Sequence, residues 1–304
     1  MIEIEGLTKD YQADFWKRKV RALDGFSVRI ERGDLFAFLG LNGSGKTTTF
    51  KLINGLIRPT SGSVRISGFQ VPDLRVRKLL GYLPESPYFY DYLTPVEILT
   101  LFGHCFDLGG TTLHKRIDSL LELVELGEHR HEPLRKFSKG MLQRVGIAQA
   151  LIGEPELLLL DEPMSGLDPL GRKQMRELIL RMKDRGTTVF LSTHIVSDIE
   201  LLCEKVAIIH KGRLVEQGHV NELLGSRTKN VDLVLELPPE ELVPSFEALA
   251  LRSRRYEGKL HLTLADEQAV HQALEAALAA QLRIESLVTH RPTLEELFVA
   301  KVFT

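Results

Sequence analysis

The sequence predicts an α/β protein followed by a smaller α+β unit, and three observations lead to this fold class. Short apolar runs alternate with helix-like segments between residues 35 and 209, and strands separated by helices are typical of parallel βαβ units. A glycine-rich turn joins the first run to the helix after it. From residue 231, apolar and polar residues alternate, and apolar residues then recur at helical spacing. We therefore expect a domain at 1–218, a linker at 219–230 and an accessory α+β domain at 231–304.

The composition excludes several classes of protein. The 304 residues are 43% hydrophobic and 26% charged, which is ordinary for a globular chain and unlike a disordered one. The formal net charge is −2, so the chain as a whole is not attracted to nucleic acid, and we expect none as a partner. Two cysteines in a chain of this length indicate a reducing compartment. Because no stretch approaches the ~18 apolar residues of a membrane span, any membrane role must depend on a partner.

The first elements of the chain are expected to be two strands. Residues 2–12 and 20–30 each alternate apolar and polar positions. The loop between them, Asp14 to Lys19, is basic and contains the only tryptophan, Trp16. A solvated hairpin tip is the simpler interpretation of this loop, and contact with a headgroup or a partner is the alternative.

The next elements are a short strand, a helix and a helical insertion. The spacing predicts a strand at Leu35–Leu39, a helix at Thr47–Leu56 and a largely helical subdomain at about 88–153. Thr94 and Glu97 form the pattern of a capping box, with a proline at the first helical position. In the accessory domain, the basic cluster Arg252, Arg254 and Arg255 predicts a solvated turn.

The glycine-rich turn fits the phosphate-binding P-loop pattern at every fixed position. It follows a predicted strand and opens a predicted helix, which is the context that this motif requires. Its backbone N–H groups and the positive end of the helix would hold phosphate. Lys46 would reach the β- and γ-phosphates of a nucleotide, and the hydroxyl of Thr47 would ligate Mg²⁺. The expected nucleotide-binding residues of this segment are Gly40, Leu41, Asn42, Gly43, Ser44, Gly45, Lys46, Thr47 and Thr48.

Two consecutive acids, Asp161 and Glu162, follow the apolar run Leu157–Leu160. Parallel strands present functional groups at their carboxyl ends. We therefore expect Asp161 to meet the Mg²⁺ held by Thr47, and Glu162 to polarise the attacking water as a general base.

Three further motifs resemble those of the ATP-binding cassette (ABC) ATPases. The segment Phe137–Arg144, FSKGMLQR, is similar to their signature LSGGQ, Ser165–Asp168 is similar to their D-loop, and Ser192–His194 is similar to their switch-histidine motif. Five ordered motifs between residues ~11 and ~195 identify residues 1 to ~218 as a member of this family. The resemblance implies a P-loop NTPase fold with a mixed-sheet core, an antiparallel β subdomain and a helical subdomain.

The resemblance also implies roles for individual residues. Tyr11 would stack on the adenine of ATP, and His194 would hold the γ-phosphate and complete a catalytic set with Lys46 and Glu162. The working unit would be a homodimer with ATP bound between two cassettes. The residues that would contact ATP on the opposite subunit are Ser138, Gly140 and Asp168.

Two parts of the sequence depart from the family pattern. Glu85 stands where the family has the Q-loop glutamine, and its carboxylate is a candidate ligand of Mg²⁺ or its water beside two other acids. In the signature, Lys139 replaces the first glycine and Met141 replaces the glutamine. Because Ser138 and Gly140 are kept, we expect ATP hydrolysis to survive.

An aromatic cluster follows Glu85, with four aromatic residues among the six from 87 to 92. Such a cluster is typical of a partner-binding surface, and local packing of the helical insertion is the alternative. In the family this region contacts a membrane-spanning subunit. We therefore expect separately encoded permease subunits as partners, bound through Pro87, Tyr88, Phe89, Tyr90 and Tyr92.

Together these observations predict an ATP-hydrolysing subunit of an ABC exporter, peripheral on the cytoplasmic face of the membrane. The accessory domain and the ending Thr293–Phe298 resemble the ATPase subunits of bacterial or archaeal ABC-2-type exporters. Two alternatives stay open: a soluble ABC ATPase without a transport role, and a nucleotide-gated scaffold with little turnover.

Overall fold

The computed structural model describes residues 1–12, 19–225, 230–290 and 293–302. Residues 14–18 of the basic loop, Trp16 among them, lie outside these residues. The chain divides into two compact units, Met1–Val220 and Asn221–Thr304. Within the described residues, no helix has the length and apolar character needed to cross a membrane.

The first unit contains strands and helices in alternation. Its strands are β1 Ile2–Tyr11, β2 Val20–Ile30, β3 Leu35–Leu39, β4 Ser61–Ile66, β5 Phe69–Gln70, β6 Leu80–Leu83, β7 Leu157–Asp161, β8 Thr188–Thr193, β9 Lys205–His210 and β10 Arg213–His219. Its helices are α1 Lys46–Ile53, α2 Leu74–Leu79, α3 Pro95–Cys105, α4 Gly110–Leu123, α5 Lys139–Leu151, α6 Pro169–Asp184 and α7 Val196–Leu202, with one 3₁₀ turn at Leu134–Lys136.

A six-stranded sheet forms the centre of this unit, in the order β10-β9-β3-β8-β7-β6. All neighbouring pairs are parallel except β10 with β9. Strands β3, β7 and β8 are buried along their whole length, as expected for parallel strands covered on both faces. The parallel arrangement brings the carboxyl ends of β3, β7 and β8 to one edge of the sheet.

The second sheet of this unit is antiparallel, in the order β2-β1-β4-β5. Aromatic residues from both sheets and from α1 pack together in the shared core. The ring of Phe190 lies 5.5 Å from that of Phe36, 5.6 Å from that of Phe38 and 4.9 Å from that of Phe50. Phe26 of β2 lies 5.2 Å from Phe38. This core fixes the position of α1 on the central sheet.

The predicted helical subdomain consists of α3, α4 and α5. Thr94 caps α3, and the capping box with Glu97 is confirmed, because the hydroxyl of Thr94 accepts from the Glu97 N–H and the Glu97 carboxylate accepts from the Thr94 N–H. Helix α5 packs closely on β6, where a side chain at Gly81 would lie 2.3 Å from the carbonyl oxygen of Ala150. The mixed sheet, antiparallel sheet and helices confirm the predicted fold class.

The segment expected as a linker is partly helical. Residue His219 ends β10, and Val220–Gly225 forms helix α8. The second unit continues with β11 Asn230–Glu236, α9 Val243–Leu249, β12 Ala250–Tyr256, β13 Lys259–Leu264, α10 Glu267–Ala279, β14 Ile284–His290 and α11 Leu294–Val302.

The second unit has a four-stranded antiparallel sheet in the order β12-β13-β11-β14. Alternate residues of β11 and β13 pack with Phe246 of α9 and with small residues of α10. The order of elements, β-α-β-β-α-β, is that of a split βαβ motif. The prediction of a turn at Arg252–Arg255 was wrong, because these residues lie on β12, an edge strand whose side chains are exposed.

Candidate nucleotide-binding site

The P-loop lies between the end of β3 and the start of α1. Gly45 has φ +114° and Gly43 has φ +79°, which are left-handed conformations that favour glycine. A side chain at Gly45 would lie 2.7 Å from the carbonyl oxygen of Ala22, and one at Gly40 would lie 2.7 Å from that of Ile209. The close approach of neighbouring backbone therefore requires glycine at positions 40 and 45, and the left-handed conformation favours it at position 43.

Lys46 lies at the start of α1, and its side chain is buried. Its Nζ donates to the carbonyl oxygens of Gly40 at 2.7 Å and Leu41 at 3.3 Å. The same Nζ lies 3.2 Å from Oε1 of Glu162 in an ion pair whose side chains are 5% and 7% exposed. The lysine therefore connects the P-loop to the residue after β7.

The two acids have different partners. Asp161 is the last residue of β7, and its Oδ1 accepts a hydrogen bond from the hydroxyl of Ser192 at 2.6 Å. Glu162 has φ +50°, in the left-handed region, and its Oε2 lies 2.8 Å from Nδ1 of His194. A single buried carboxylate thus bridges Lys46 and His194.

The surroundings of Asp161 suit a divalent cation. Its Oδ2 is buried, and no described residue makes a hydrogen bond of normal geometry with it, although the hydroxyl of Thr47 lies near the carboxylate. Burial raises the pKa of Asp161, the hydroxyls of Ser192 and Thr47 act against this rise, and the charges of Glu162 and Glu85 add to it. A carboxylate and a hydroxyl are oxygen ligands of the kind that Mg²⁺ prefers, so the donor set fits this ion.

A cavity of about 280 Å³ lies in front of these groups. Most of its wall comes from the P-loop and the first turn of α1, and Glu85 and Glu162 form the rest together with Ala22 of β2. The cavity lining therefore includes Asn42, Gly43, Gly45, Lys46, Thr47 and Thr48. The structure brings the P-loop, the second acid and Glu85 together around this cavity.

The signature residues lie elsewhere in the same chain. Ser138 caps α5, its hydroxyl accepting from the Met141 N–H at 3.3 Å, and Asp168 caps α6, its carboxylate accepting from the Gly171 N–H at 2.8 Å. With Gly140 they line a second cavity of about 210 Å³. Among the described residues, the walls of the two cavities share no member.

Comparison with known proteins identifies the family. The family model described as ABC transporter matches residues 23–165. An uncharacterised ABC transporter ATP-binding protein of Synechocystis is 39% identical, and the alignment covers 99% of this chain and 84% of that protein. The chain belongs to the family of ABC transporter ATP-binding proteins. The family predicted from the motifs is thereby confirmed, and as a member the chain is an ATPase subunit of an ABC transporter.

Two further relatives of this ABC ATPase extend the comparison. The Nod factor export ATP-binding protein I of Ralstonia nicotianae is 32% identical, with 98% of this chain and 92% of that protein aligned. A bacterial ABC transporter cassette solved as a dimer is 25% identical and has a TM-score of 0.65, covering 72% of this chain and 98% of that chain.

Tyr11 and the aromatic cluster lie at the surface of the ABC ATPase. Tyr11 ends β1 and is 40% exposed, with Nζ of Lys9 5.2 Å from its ring centre. It is not among the described residues that line the first cavity. In the cluster, Tyr88 is 93% exposed and Tyr90 and Tyr92 are also exposed, their rings 5.8 Å apart, whereas Pro87 and Phe89 are half-buried.

Two buried polar residues of this ABC ATPase contact the site without having been predicted to do so. Gln143 of α5 is completely buried, and its Nε2 donates to the carbonyl oxygen of Glu85 at 3.0 Å. Ser192 binds Asp161 from the neighbouring strand. Both stand within motifs that the sequence displays, but their partners are 58 and 31 residues away along the chain.

Proposed function

We propose that this ABC ATPase binds MgATP in the cavity before the P-loop and hydrolyses it as one half of a homodimer. The observation that carries this proposal is the bridge from Lys46 through Glu162 to His194, built from a P-loop and the carboxyl ends of two neighbouring strands. The proposed general base and the phosphate-binding cation thus line the same cavity, and the histidine contacts the base.

Each group has a distinct task in the proposed reaction. The P-loop N–H groups and Lys46 bind the phosphates, with Lys46 exchanging its carbonyl acceptors for phosphate oxygens. Glu162 accepts a proton from the attacking water as the general base, and His194 orients this carboxylate and the γ-phosphate. Thr47, Asp161 and Glu85 hold Mg²⁺, which when bound neutralises charge on the phosphates.

The signature residues are proposed to act on the nucleotide of the second subunit. Ser138, Gly140 and Asp168 line a cavity separate from that of the P-loop, so a second cassette is needed to bring them to ATP. The dimeric state of the solved bacterial cassette supports such an arrangement. Tyr11, exposed at the end of β1, is proposed to stack on adenine.

The proposed partners are separately encoded membrane subunits, contacted on the cytoplasmic face through the exposed tyrosines 88, 90 and 92. Export is the proposed direction, because a relative that aligns along 98% of this chain is named for Nod factor export.

Replacing Glu162 by glutamine tests the proposal. The variant should bind ATP, hydrolyse it at least about a hundredfold more slowly because the base is lost, and remain a dimer with ATP in native mass spectrometry. Glu156→Gln is the matched control, since Glu156 pairs with Arg32 and is 41% exposed before the same strand. Hydrolysis at the wild-type rate by Glu162→Gln would overturn the assignment.

A further inference from the structure

Ser192 contacts both acids of the site through one hydroxyl. It lies on β8 directly beside Asp161 of β7 in the parallel register, and it is completely buried. The hydroxyl donates to Oδ1 of Asp161 at 2.6 Å and accepts from the backbone N–H of Glu162 at 3.1 Å. A serine hydroxyl has one donor and two acceptor positions, so these two bonds are compatible.

The backbone changes direction at this contact. On a regular strand, consecutive side chains point to opposite faces, but Glu162 adopts φ +50°, a conformation that residues with side chains rarely adopt. The Glu162 N–H also lies 3.1 Å from the carbonyl oxygen of Ser192. Both the side chain and the backbone of Ser192 therefore hold the residue at which the chain turns.

The turn gives the two carboxylates different surroundings. Glu162 is directed to Lys46 and His194, whereas Asp161 has Oδ1 bound to Ser192 and Oδ2 without a hydrogen bond of normal geometry to any described residue. Because Ser192 occupies one oxygen, the other is left for a cation.

We propose that Ser192 is a positioning residue for ATP hydrolysis, whose hydroxyl orients the Asp161 carboxylate for Mg²⁺ and holds the Glu162 backbone in the conformation that presents the base. This inference rests on the roles proposed above for Asp161 and Glu162. In this proposal Ser192 acts through its two neighbours, Asp161 and Glu162.

Two substitutions separate the hydroxyl from the side-chain volume. Ser192→Ala removes both bonds, whereas Ser192→Thr keeps a hydroxyl and suits a β-strand. We expect Ser192→Ala to lower kcat about tenfold to a hundredfold, the range for hydrogen bonds to charged groups, and Ser192→Thr to recover most of this loss. Relative to wild type, Ser192→Ala should bind the non-hydrolysable analogue AMP-PNP with the same Kd in EDTA and with a higher Kd in Mg²⁺.

Thr188→Val is the matched control. Thr188 lies at the other end of β8, is completely buried, and accepts from the Gly33 N–H at 2.9 Å. Loss of the Thr188 hydroxyl should lower the Tm about as much as Ser192→Ala does. It should leave kcat and the Mg²⁺ dependence of AMP-PNP binding unchanged.

Two outcomes would count against the proposal in different ways. If wild type hydrolyses ATP and Ser192→Ala matches it in kcat and in Mg²⁺ dependence, the role of Ser192 is overturned and the proposed function stands. If wild type shows no hydrolysis that depends on Glu162, the proposed function fails and the role of Ser192 fails with it.

Discussion

Replacing Lys46 by methionine tests how strongly the buried ion pair holds the site together. Nζ of Lys46 and Oε1 of Glu162 are 3.2 Å apart, and both side chains are almost fully buried. Methionine keeps most of the volume but leaves the carboxylate with His194 as its remaining side-chain partner among the described residues. Removing one partner of a buried pair costs about 3–5 kcal/mol, and because His194 remains we expect about 3 kcal/mol.

The reverse substitution, Glu162→Gln, should cost less. Lys46 would keep the carbonyl oxygens of Gly40 and Leu41 as acceptors, so its charge stays satisfied and the expected cost is about 1 kcal/mol. In the double variant neither charge remains unpaired. Its loss of stability should therefore be smaller than the sum of the single losses, with a coupling of about 2 kcal/mol.

Thermal unfolding without nucleotide measures these differences. At about 2–4 °C per kcal/mol, the midpoint should fall by about 6–12 °C for Lys46→Met and by about 2–4 °C for Glu162→Gln. The ion pair would be refuted as the cause of the lost stability by either of two results. One is an equal fall of the midpoint in the two single variants, and the other is a fall in the double variant equal to the sum of the single falls.

Two further predictions concern packing and pH. Gly81→Ala should lower the free energy of unfolding by about 2 kcal/mol in urea, because the new Cβ would lie 2.3 Å from the carbonyl oxygen of Ala150. Gly127 has open space around it, so Gly127→Ala should change the free energy of unfolding by less than about 0.5 kcal/mol. Equal changes in the two variants would contradict the packing argument. The hydrogen bond with Arg75 lowers the pKa of Asp73 to about 2, so the stability from this carboxylate is present above about pH 4 and is lost towards pH 2. An NMR titration midpoint of Asp73 near 4 would contradict this.

The P-loop could be predicted from sequence because its requirements are local. Gly40 and Gly45 are needed where a side chain would meet backbone, and Lys46 and Thr47 follow at fixed spacing. The capping box at Thr94 is local in the same sense. The helix expected at Thr47–Leu56, with Asn54 and Gly55 closing it, ends at Ile53 and has Asn54 as its C-cap.

The parts that could not be predicted depend on contacts between distant segments. Strand β12 has few apolar residues, because among the described strands it lies at the edge of its sheet, pairs with β13 alone and exposes its arginines. A short polar segment rich in arginine is also typical of a turn. In the sequence, Ser192 is likewise only the first residue of the switch-histidine motif. Its contact with Asp161 arises only because β7 and β8 are neighbours in register.

Mixing two inactive variants tests the central claim most directly. Lys46→Met disables the P-loop, and Ser138→Arg disables the signature. In a head-to-tail dimer of one chain of each kind, one composite site is doubly defective and the other is intact. Random mixing of equal amounts should therefore restore about a quarter of the wild-type ATPase rate, although each variant alone is inactive. A mixture no more active than its components would contradict a site completed by the second subunit.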